Sequence, residues 1–370
     1  MLHRDGVPVG INGIGGRIGG NTVRAMIEHP TLGFNVIAGN DVGLDPKNPG
    51  LNFAQVKRHD STFGPWPCAM AGDGDKIEFT LPDGSTHTVS LFSERDPGKI
   101  RWGDIGVTGV AECTGIFLSA KGEKPGFDSH FDGGAQRVAL SAPAKQSGIH
   151  TVVFGVHKQP LNTIKVISGA SCTSGSLVYP LRVILDHKQK WGFRSGKMTT
   201  VHAYTAGEQV LQDAPKPVTP GARRMSAAAL NIIPTTTGAA KTIPKVDGIG
   251  EDMAGIPFDG FALRVPVASG SITLLEVDLE EQPSLEEVIA SMMDAATHRF
   301  QGKFAVNSDP NKNPEGELLV SSHVIKRPES SILDVEFCTA LGAQYGFPLW
   351  YGNEWGYVNR FVEALHEQCA

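Results

Sequence analysis

Apolar residues alternate with other positions at Val7, Val9 and Ile11, the two-residue period of a strand. Ile18, Thr22, Val23, Met26 and Ile27 then recur at helical spacing. Phe34 to Ala38 is a second apolar run, closed by Asn40 and Asp41. Between the first strand and the helix lies the turn Gly13-Ile14-Gly15-Gly16-Arg17-Ile18-Gly19. Arg137-Val138-Ala139-Leu140 and similar runs continue a mostly parallel sheet. After residue 171 the pattern changes. Leu177, Leu181, Ile184 and Leu185 have the spacing of a helix face, and Lys197 to Val201 reads as a strand. Leu275, Val277 and Leu279 alternate within Ile272 to Leu279. Val358, Phe361, Val362 and Leu365 predict a closing amphipathic helix.

A strand, a glycine turn, a helix and a strand ending in an acid form the order of a dinucleotide-binding unit. The predicted class is therefore α/β. A Rossmann-type N-terminal domain is followed by an α+β catalytic domain with a large mixed or antiparallel sheet. Residues 1–171 are assigned to the NAD-binding domain, completed by helix 354–370, and residues 172–353 to the catalytic domain. The length, 370 residues, fits two domains. Three segments rich in Pro, Gly, Lys and Asp read as surface insertions: 121–128, 212–221 and 307–317.

Hydrophobic content of 40% and charged content of 19% exclude global disorder. A net charge of −6 gives no general pull toward nucleic acid or anionic membrane, while leaving room for a local basic pocket for phosphate. The five cysteines, Cys68, Cys113, Cys172, Cys338 and Cys369, are far apart and form no CxxC pair. That spacing speaks against a metal site or a disulfide framework. The N-terminus runs into strand-like sequence without an apolar h-region, and no segment is long enough to span a bilayer. A cytoplasmic, reducing compartment is expected.

The candidate chemistry centres on Cys172. It sits in Ser171-Cys172-Thr173, between an apolar stretch and a helix, so the helix dipole is expected to favour its thiolate. His202, at the end of a strand-like segment, is the candidate base. Taken alone, either residue is more often structural than catalytic. The glycine turn has GxGxxxG spacing, one residue longer than the usual GxGxxG, and Asp41 follows Gly19 by 22 residues. A carboxylate there accepts from ribose hydroxyls and repels a 2′-phosphate, which favours NAD over NADP. The bland alternative is a turn-forming Asn-Asp pair. Arg264 stands in the apolar strand Phe261-Ala262-Leu263-Arg264-Val265, where an isolated charge requires an anionic partner.

Several words together resemble the phosphorylating glyceraldehyde-3-phosphate dehydrogenases, nearly end to end. They are Ile11-Asn12-Gly13, Glu94-Arg95-Asp96-Pro97, Ala170-Ser171-Cys172-Thr173, Asn231 to Lys241, Arg264-Val265-Pro266 and Asn353-Glu354-Trp355-Gly356-Tyr357. The resemblance implies oxidation and phosphorylation of D-glyceraldehyde 3-phosphate with NAD+ and inorganic phosphate. Cys172 would carry a thioacyl intermediate, with His202 as base. It places Gly13, Gly15, Gly16, Arg17 and Ile18 in the cofactor loop, with Asp41 on the ribose and Arg95 beside the adenine. Thr114 and Ser141 would line the cleft, Asn353 would hold the nicotinamide carboxamide, and Tyr357 would lie near the ring. Thr205 and Arg264 match the site of the substrate's own phosphate. Ser171, Thr173, Thr237 and Gly238 match that of the attacking phosphate, with Arg224 within its reach. The resemblance also implies a homotetramer, a final helix packed on the nucleotide domain, and an S-shaped loop at 212–221 that reaches a neighbouring subunit's cofactor.

This chain departs from the family pattern at Ser174, Gly175 and Ser176, at Gly207 and Gly352 where aspartates are usual, and at the extra Gly16. These departures leave two alternatives: the same chemistry on another phosphorylated aldehyde such as erythrose 4-phosphate, or a non-catalytic binding or regulatory paralogue. The retained Cys172 and His202 argue against the second.

Overall fold

The computed structural model describes residues 2–3, 5–209, 211 and 221–370. The expected S-shaped loop falls outside the described residues from Gln212 to Pro220. The chain divides into two compact units. One is Met1–Phe154 with Gln159–Ala170 and Val358–Ala370; the other is Gly155–Lys158 with Ser171–Tyr357. These limits depart from 1–171 and 172–353 for local reasons. Ser171 goes with the second unit because it caps the helix that follows. Lys158 is drawn to the same unit by Glu251 and Asp252, each 3.4 Å from its Nζ.

The first unit is built on a nine-stranded sheet. Its strands are β1 Val7–Asn12, β2 Phe34–Asn40, β3 Ala69–Asp73, β4 Lys76–Thr80, β5 Thr86–Phe92, β6 Gly109–Glu112, β7 Arg137–Leu140, β8 His150–Thr151 and β9 Val166–Ser168. They lie in the order β8-β9-β7-β6-β1-β2-β5-β4-β3. Pairing is parallel from β8 to β5 and antiparallel at the β4 and β3 edge. The helix Arg17–Glu28 joins β1 to β2; Thr22, Val23, Met26 and Ile27 are buried as predicted, Ile18 is only partly so, and burial extends to every residue from Gly19 to Ile27. Burying each of the three apolar ones contributes about 1.5–3 kcal/mol. The final helix, Trp355–Cys369, buries Val358, Phe361, Val362 and Leu365. Gln368 near its end donates to the Ile164 carbonyl at 3.0 Å, fastening the helix inside the first unit.

The second unit carries an eight-stranded mixed sheet. Its strands are β10 Phe193–Ala203, β11 Ile233–Thr236, β12 Phe258–Val265, β13 Ser271–Leu279, β14 Phe304–Asn307, β15 Ser331–Asp334, β16 Thr339–Leu341 and β17 Gln344–Tyr351. The order is β11-β12-β10-β13-β17-β15-β14, with β16 on β17. β10 runs parallel to β12 and antiparallel to β13. The helix Cys172–Asp186 packs against this sheet. Every residue from Thr173 to Leu185 is buried, so the predicted one-sided stripe understates how enclosed the helix is.

Among the described residues no helix is long and apolar enough to cross a membrane.

Candidate active site

The backbone prepares the Cys172 junction before any side chain acts. Ala170, fully buried, has φ +56°, a left-handed conformation that costs a residue with a Cβ about 1–3 kcal/mol. This turn swings the chain from β9 into the helix. Ser171 is the helix N-cap, its Oγ accepting from Ser174 N at 3.2 Å. Such a cap contributes about 1 kcal/mol. Cys172 is therefore the first helical residue and keeps some access to solvent.

His202 comes from β10. Its Nε2 lies 3.6 Å from Cys172 Sγ, so the structure brings the two residues into hydrogen-bond reach. Its Nδ1 lies 2.6 Å from both the Ala203 carbonyl and Arg264 Nη1. Arginine can only donate, so toward Arg264 the ring accepts and its proton sits on Nε2, facing sulfur. Toward Ala203 the ring donates from Nδ1, and Nε2 faces sulfur as a bare acceptor. One tautomer suits a thiolate and the other a thiol. Asn353 Nδ2 lies 3.3 Å from Nδ1, while Asn353 Oδ1 accepts from Gly270 N at 2.8 Å.

The electrostatics correct one expectation. Burial, reinforced by the Arg264 charge, pushes the His202 imidazole down to about 3. Burial raises the Cys172 thiol above its ordinary value, while Arg264 pulls it back. Both shifts act against a thiolate–imidazolium pair. The cation that favours the thiolate is Arg264, because a buried imidazolium beside a guanidinium is costly.

The predicted phosphate residues separate. Thr237 caps a short helix, Gly238–Thr242, its Oγ1 accepting from Ala239 N at 3.2 Å, and Gly238 is exposed. Thr173, by contrast, is buried; its hydroxyl meets Tyr351 Oη at 3.1 Å, and its side chain also bonds Cys172, so it stands beside the candidate nucleophile. Arg224 pairs with a buried acid. Its Nη1 lies 2.7 Å from Glu208 Oε1, and Glu208 Oε2 accepts from Thr205 N at 2.9 Å and Thr205 Oγ1 at 3.0 Å. Arg264 Nε approaches the same carboxylate at 3.5 Å. Thr205, Arg224 and Arg264 thus converge on Glu208, a residue the sequence reading did not single out. The acid beside the glycine at 207 was its one available signal.

The departures from the family words have local causes. A Cβ at Gly175 would stand 3.3 Å from Ser330 Cβ, and one at Gly352 would stand 2.8 Å from the Val324 carbonyl oxygen. Ser176 Oγ is spent inside the core, donating to Thr173 O at 2.8 Å.

In the first unit, Asn12, Gly13, Gly16, Asp41, Arg95, Thr114, Lys124 and Pro125 help line a cavity of about 600 Å³. Gly13 has φ +84°, and a Cβ on Gly15 would sit 2.9 Å from Asp41 Oδ2. The turn therefore needs glycine at both positions, one for conformation and one for close approach. Asp41 accepts from Gly15 N at 2.9 Å and Gly43 N at 2.8 Å, which fixes its carboxylate at the cavity edge. Beneath, buried Glu112 accepts from Asn12 Nδ2 at 2.6 Å, His130 Nε2 at 3.0 Å and Thr114 N at 2.8 Å, and Asn40 Nδ2 donates to Asn12 Oδ1 at 2.7 Å. These bonds lock the ends of β1, β2 and β6 under the cavity. A glycine turn at a helix N-terminus beside a fixed carboxylate fits the adenosine and pyrophosphate of a dinucleotide.

Not every predicted cofactor residue faces that space. Arg17 reaches away, donating to Thr62 Oγ1 at 3.2 Å. Ser141 bonds Cys113, which itself lines the cavity. Asn353 and Tyr357 are buried in the second unit. Lys124 and Pro125, read from composition as surface insertion, line the cavity.

Comparison with known proteins agrees with both halves of this geometry. Residues 7–120 match the family model described as glyceraldehyde 3-phosphate dehydrogenase, NAD binding domain, and residues 171–353 match the corresponding C-terminal domain. The chain is 39% identical over 367 residues to the glyceraldehyde-3-phosphate dehydrogenase of Mycobacterium tuberculosis, covering 97% of each. It is 38% identical to glyceraldehyde-3-phosphate dehydrogenase 1 of Streptomyces avermitilis, covering 96% of this chain and 97% of that one. Against the Mycolicibacterium smegmatis enzyme of the same name identity is 37%, with 97% of each covered.

Proposed function

This chain belongs to the glyceraldehyde 3-phosphate dehydrogenase family, and on that premise we propose that it converts D-glyceraldehyde 3-phosphate to 1,3-bisphosphoglycerate, using NAD+ and inorganic phosphate. The observation that carries the reading is the 3.6 Å approach of His202 Nε2 to Cys172 Sγ at a capped helix start.

The Cys172 sulfur adds to the aldehyde carbon, and its proton passes through His202 to the carbonyl oxygen, giving a hemithioacetal. His202 then takes that hydroxyl proton while the carbon is oxidised to a thioester. NAD+, when bound, supplies the acceptor for the hydride that leaves the carbon. Inorganic phosphate attacks the thioester, the acyl phosphate departs, and the Cys172 thiolate is released and reprotonated. His202 alternates in this sequence, passing the thiol proton to the carbonyl oxygen and then taking the hydroxyl proton back.

Gly13, Gly15, Gly16 and the first helical residues hold the pyrophosphate, Asp41 the ribose, and Arg95 and Thr114 the remainder of the adenosine half. Thr205 and Arg264 hold the substrate's phosphate. Ser171, Thr173, Thr237 and Gly238 receive the attacking one, with Arg224 within its reach. On the same reading the protein works in the cytoplasm as a homotetramer. All five of its cysteines are free thiols, which suits a reducing compartment.

The test is NADH formation from glyceraldehyde 3-phosphate with and without inorganic phosphate. Sustained turnover is expected only with phosphate, or with arsenate in its place. Without either, one short burst of NADH per active site is expected as acyl enzyme accumulates. Continuous turnover to the free acid in phosphate-free buffer would reject the phosphorylating mechanism.

A further inference from the structure

We propose that Lys57 is a positioning residue of the cofactor loop: its ammonium pins the carbonyl of Gly16, the extra glycine of the turn, so that the amides beyond it stay aimed at the cofactor's pyrophosphate. The proposal rests on the reading that Gly13, Gly15, Gly16 and the first helical residues hold that pyrophosphate.

Gly16 is the N-cap of the helix Arg17–Glu28, and it has no side chain to cap with. The first turn of that helix contains no acid. Its leading amides are therefore left for an anion. The Gly16 carbonyl accepts from Gly20 N at 3.0 Å, the first bond of the helix. It accepts a second time, from Lys57 Nζ at 3.2 Å. Gly20 leaves the space that the lysine fills, since a Cβ there would stand 3.2 Å from Nζ.

Lys57 ends the helix Pro49–Lys57. With Gly15, Gly16, Asp41 and Phe53 it lines a separate hollow of about 340 Å³. Gly16 and Asp41 belong to this hollow and to the cofactor cavity alike, whereas Lys57 lines the hollow alone. It therefore acts through Gly16 and not by touching the cofactor. The same stretch of chain also holds the next residue of the turn. Arg17 donates to Thr62 Oγ1 at 3.2 Å, and Asp60 Oδ1 accepts from Thr62 N at 2.8 Å and Phe63 N at 2.9 Å. Gly16 and Arg17 are thus both tied to the segment 57–63.

The arrangement is costly without an anion. A half-buried ammonium stands at the positive end of a helix. Burial lowers the Lys57 pKa from its ordinary value; Asp60 opposes that shift and Arg17 adds to it. A diphosphate at the helix start supplies the missing counter-charge. A simpler role, as a cation at the C-terminal end of its own helix, would need no bond to Gly16.

The test is Lys57→Met, which keeps the stem and removes the ammonium. Binding of ADP-ribose is measured by calorimetry and that of adenosine by displacement of ADP-ribose, alongside KM for NAD+, kcat and Tm. ADP-ribose should bind about tenfold more weakly, the scale of one lost hydrogen bond to the loop. Adenosine, which lacks the diphosphate, should bind as in wild type. KM for NAD+ should rise by a similar factor with kcat little changed, and Lys57→Arg should recover most of the loss. The loss should persist at high salt, where long-range attraction is screened. Wild-type affinity for ADP-ribose in Lys57→Met overturns the proposal. A loss that vanishes at high salt overturns it too, because charge alone would then explain the effect. Equal weakening of ADP-ribose and adenosine with a lowered Tm also overturns it, since Lys57 would then only support its own helix. If wild type binds ADP-ribose no more tightly than adenosine, the pyrophosphate reading of the loop fails and the proposal falls with it.

Discussion

His202 and Arg264 are register partners on the neighbouring parallel strands β10 and β12, and Arg264 Nη1 lies 2.6 Å from His202 Nδ1. This pairing sets the protonation chemistry of the site. It puts a permanent cation against an imidazole that burial already disfavours as a cation, and the ring is held neutral, down to about 3.

The first consequence concerns pH. The folded pKa of His202 lies below its ordinary value of 6.5, so the unfolded chain takes up a proton that the native state refuses. Its contribution to stability is complete above about 6.5 and is lost as pH falls from there toward about 3. His202→Asn should flatten the acid side of a Tm-against-pH curve in that window. The same variant should lower kcat on the order of 10²–10⁴-fold while NAD+ binding persists. A curve no flatter than wild type would refute the buried neutral imidazole.

Cys172 should be the cysteine that iodoacetamide labels first, and its labelling should abolish turnover. Burial pushes Cys68 up to about 11 and Cys113, Cys338 and Cys369 up to about 12. Cys172 is raised by burial too, but it has an imidazole nitrogen at 3.6 Å and the Arg264 charge to oppose the rise. Because His202 stays neutral, the labelling rate should climb on the alkaline side with no inflection near 6.5. Peptide mapping after partial alkylation checks the first statement, and rates across pH check the second. Labelling of Cys172 that lags behind Cys68 would contradict the assignment.

Arg264 should carry part of both shifts. Replacing it with Gln leaves burial, the larger cause, in place, so His202 should move only part of the way back toward its ordinary value. Cys172 loses the charge that opposes its rise, so its alkylation at neutral pH should slow. Imidazole resonances followed by NMR against pH report the first change directly. An imidazole that titrates as in wild type would remove Arg264 from the argument.

Much of this was legible in the chain because it is local. A cysteine at a strand-to-helix junction predicts a place at the helix start, and Cys172 is the first helical residue. The glycine turn followed by Asp41 also depends on short-range order. What was not legible depends on side chains brought together over long distances. Glu208 gained its meaning from Arg224 and Arg264, which meet it only after β10 and β12 pair. The helix start at Cys172 was readable, but the burial that raises its thiol was not. Composition marked 121–128 as loop, yet it says nothing of what a loop covers, and Lys124 and Pro125 line the cofactor cavity. Thr173 matched a phosphate-binding word, but its contact with Tyr351 from β17 depends on a strand far along the chain.

Restoring the family's aspartate at 352 should destabilise this chain. A Cβ there would stand 2.8 Å from Val324 O and 3.0 Å from Ile325 O, and a carboxylate beyond it would face those carbonyls without a donor. Overpacking of this kind costs about 1–3 kcal/mol. Gly352→Asp should lower Tm, whereas Gly238→Ala, where an added Cβ meets nothing within 4 Å, should not. Equal melting of Gly352→Asp and wild type would show that the 324–325 segment yields easily.

Cofactor choice gives the last prediction. The Asp41 carboxylate is anchored by Gly15 N at 2.9 Å and Gly43 N at 2.8 Å, so it cannot swing aside without abandoning two backbone donors. A fixed carboxylate at the ribose position accepts from two hydroxyls and repels a 2′-phosphate. The extra glycine at 16 has not displaced it, because the loop closes onto Asp41 through Gly15. Wild type should therefore use NAD+ in strong preference to NADP+. Asp41→Ala removes the repulsion, but it also frees the Gly15 and Gly43 amides and loosens the turn. NAD+ should then bind more weakly, and the preference should narrow mainly through that loss. Asp41→Asn keeps an acceptor for one amide and removes the charge, so it should narrow the preference with less harm to NAD+ binding. Comparing kcat/KM for the two cofactors in wild type and both variants separates charge from loop order. Equal use of NADP+ by wild type would show that Asp41 does not face the ribose.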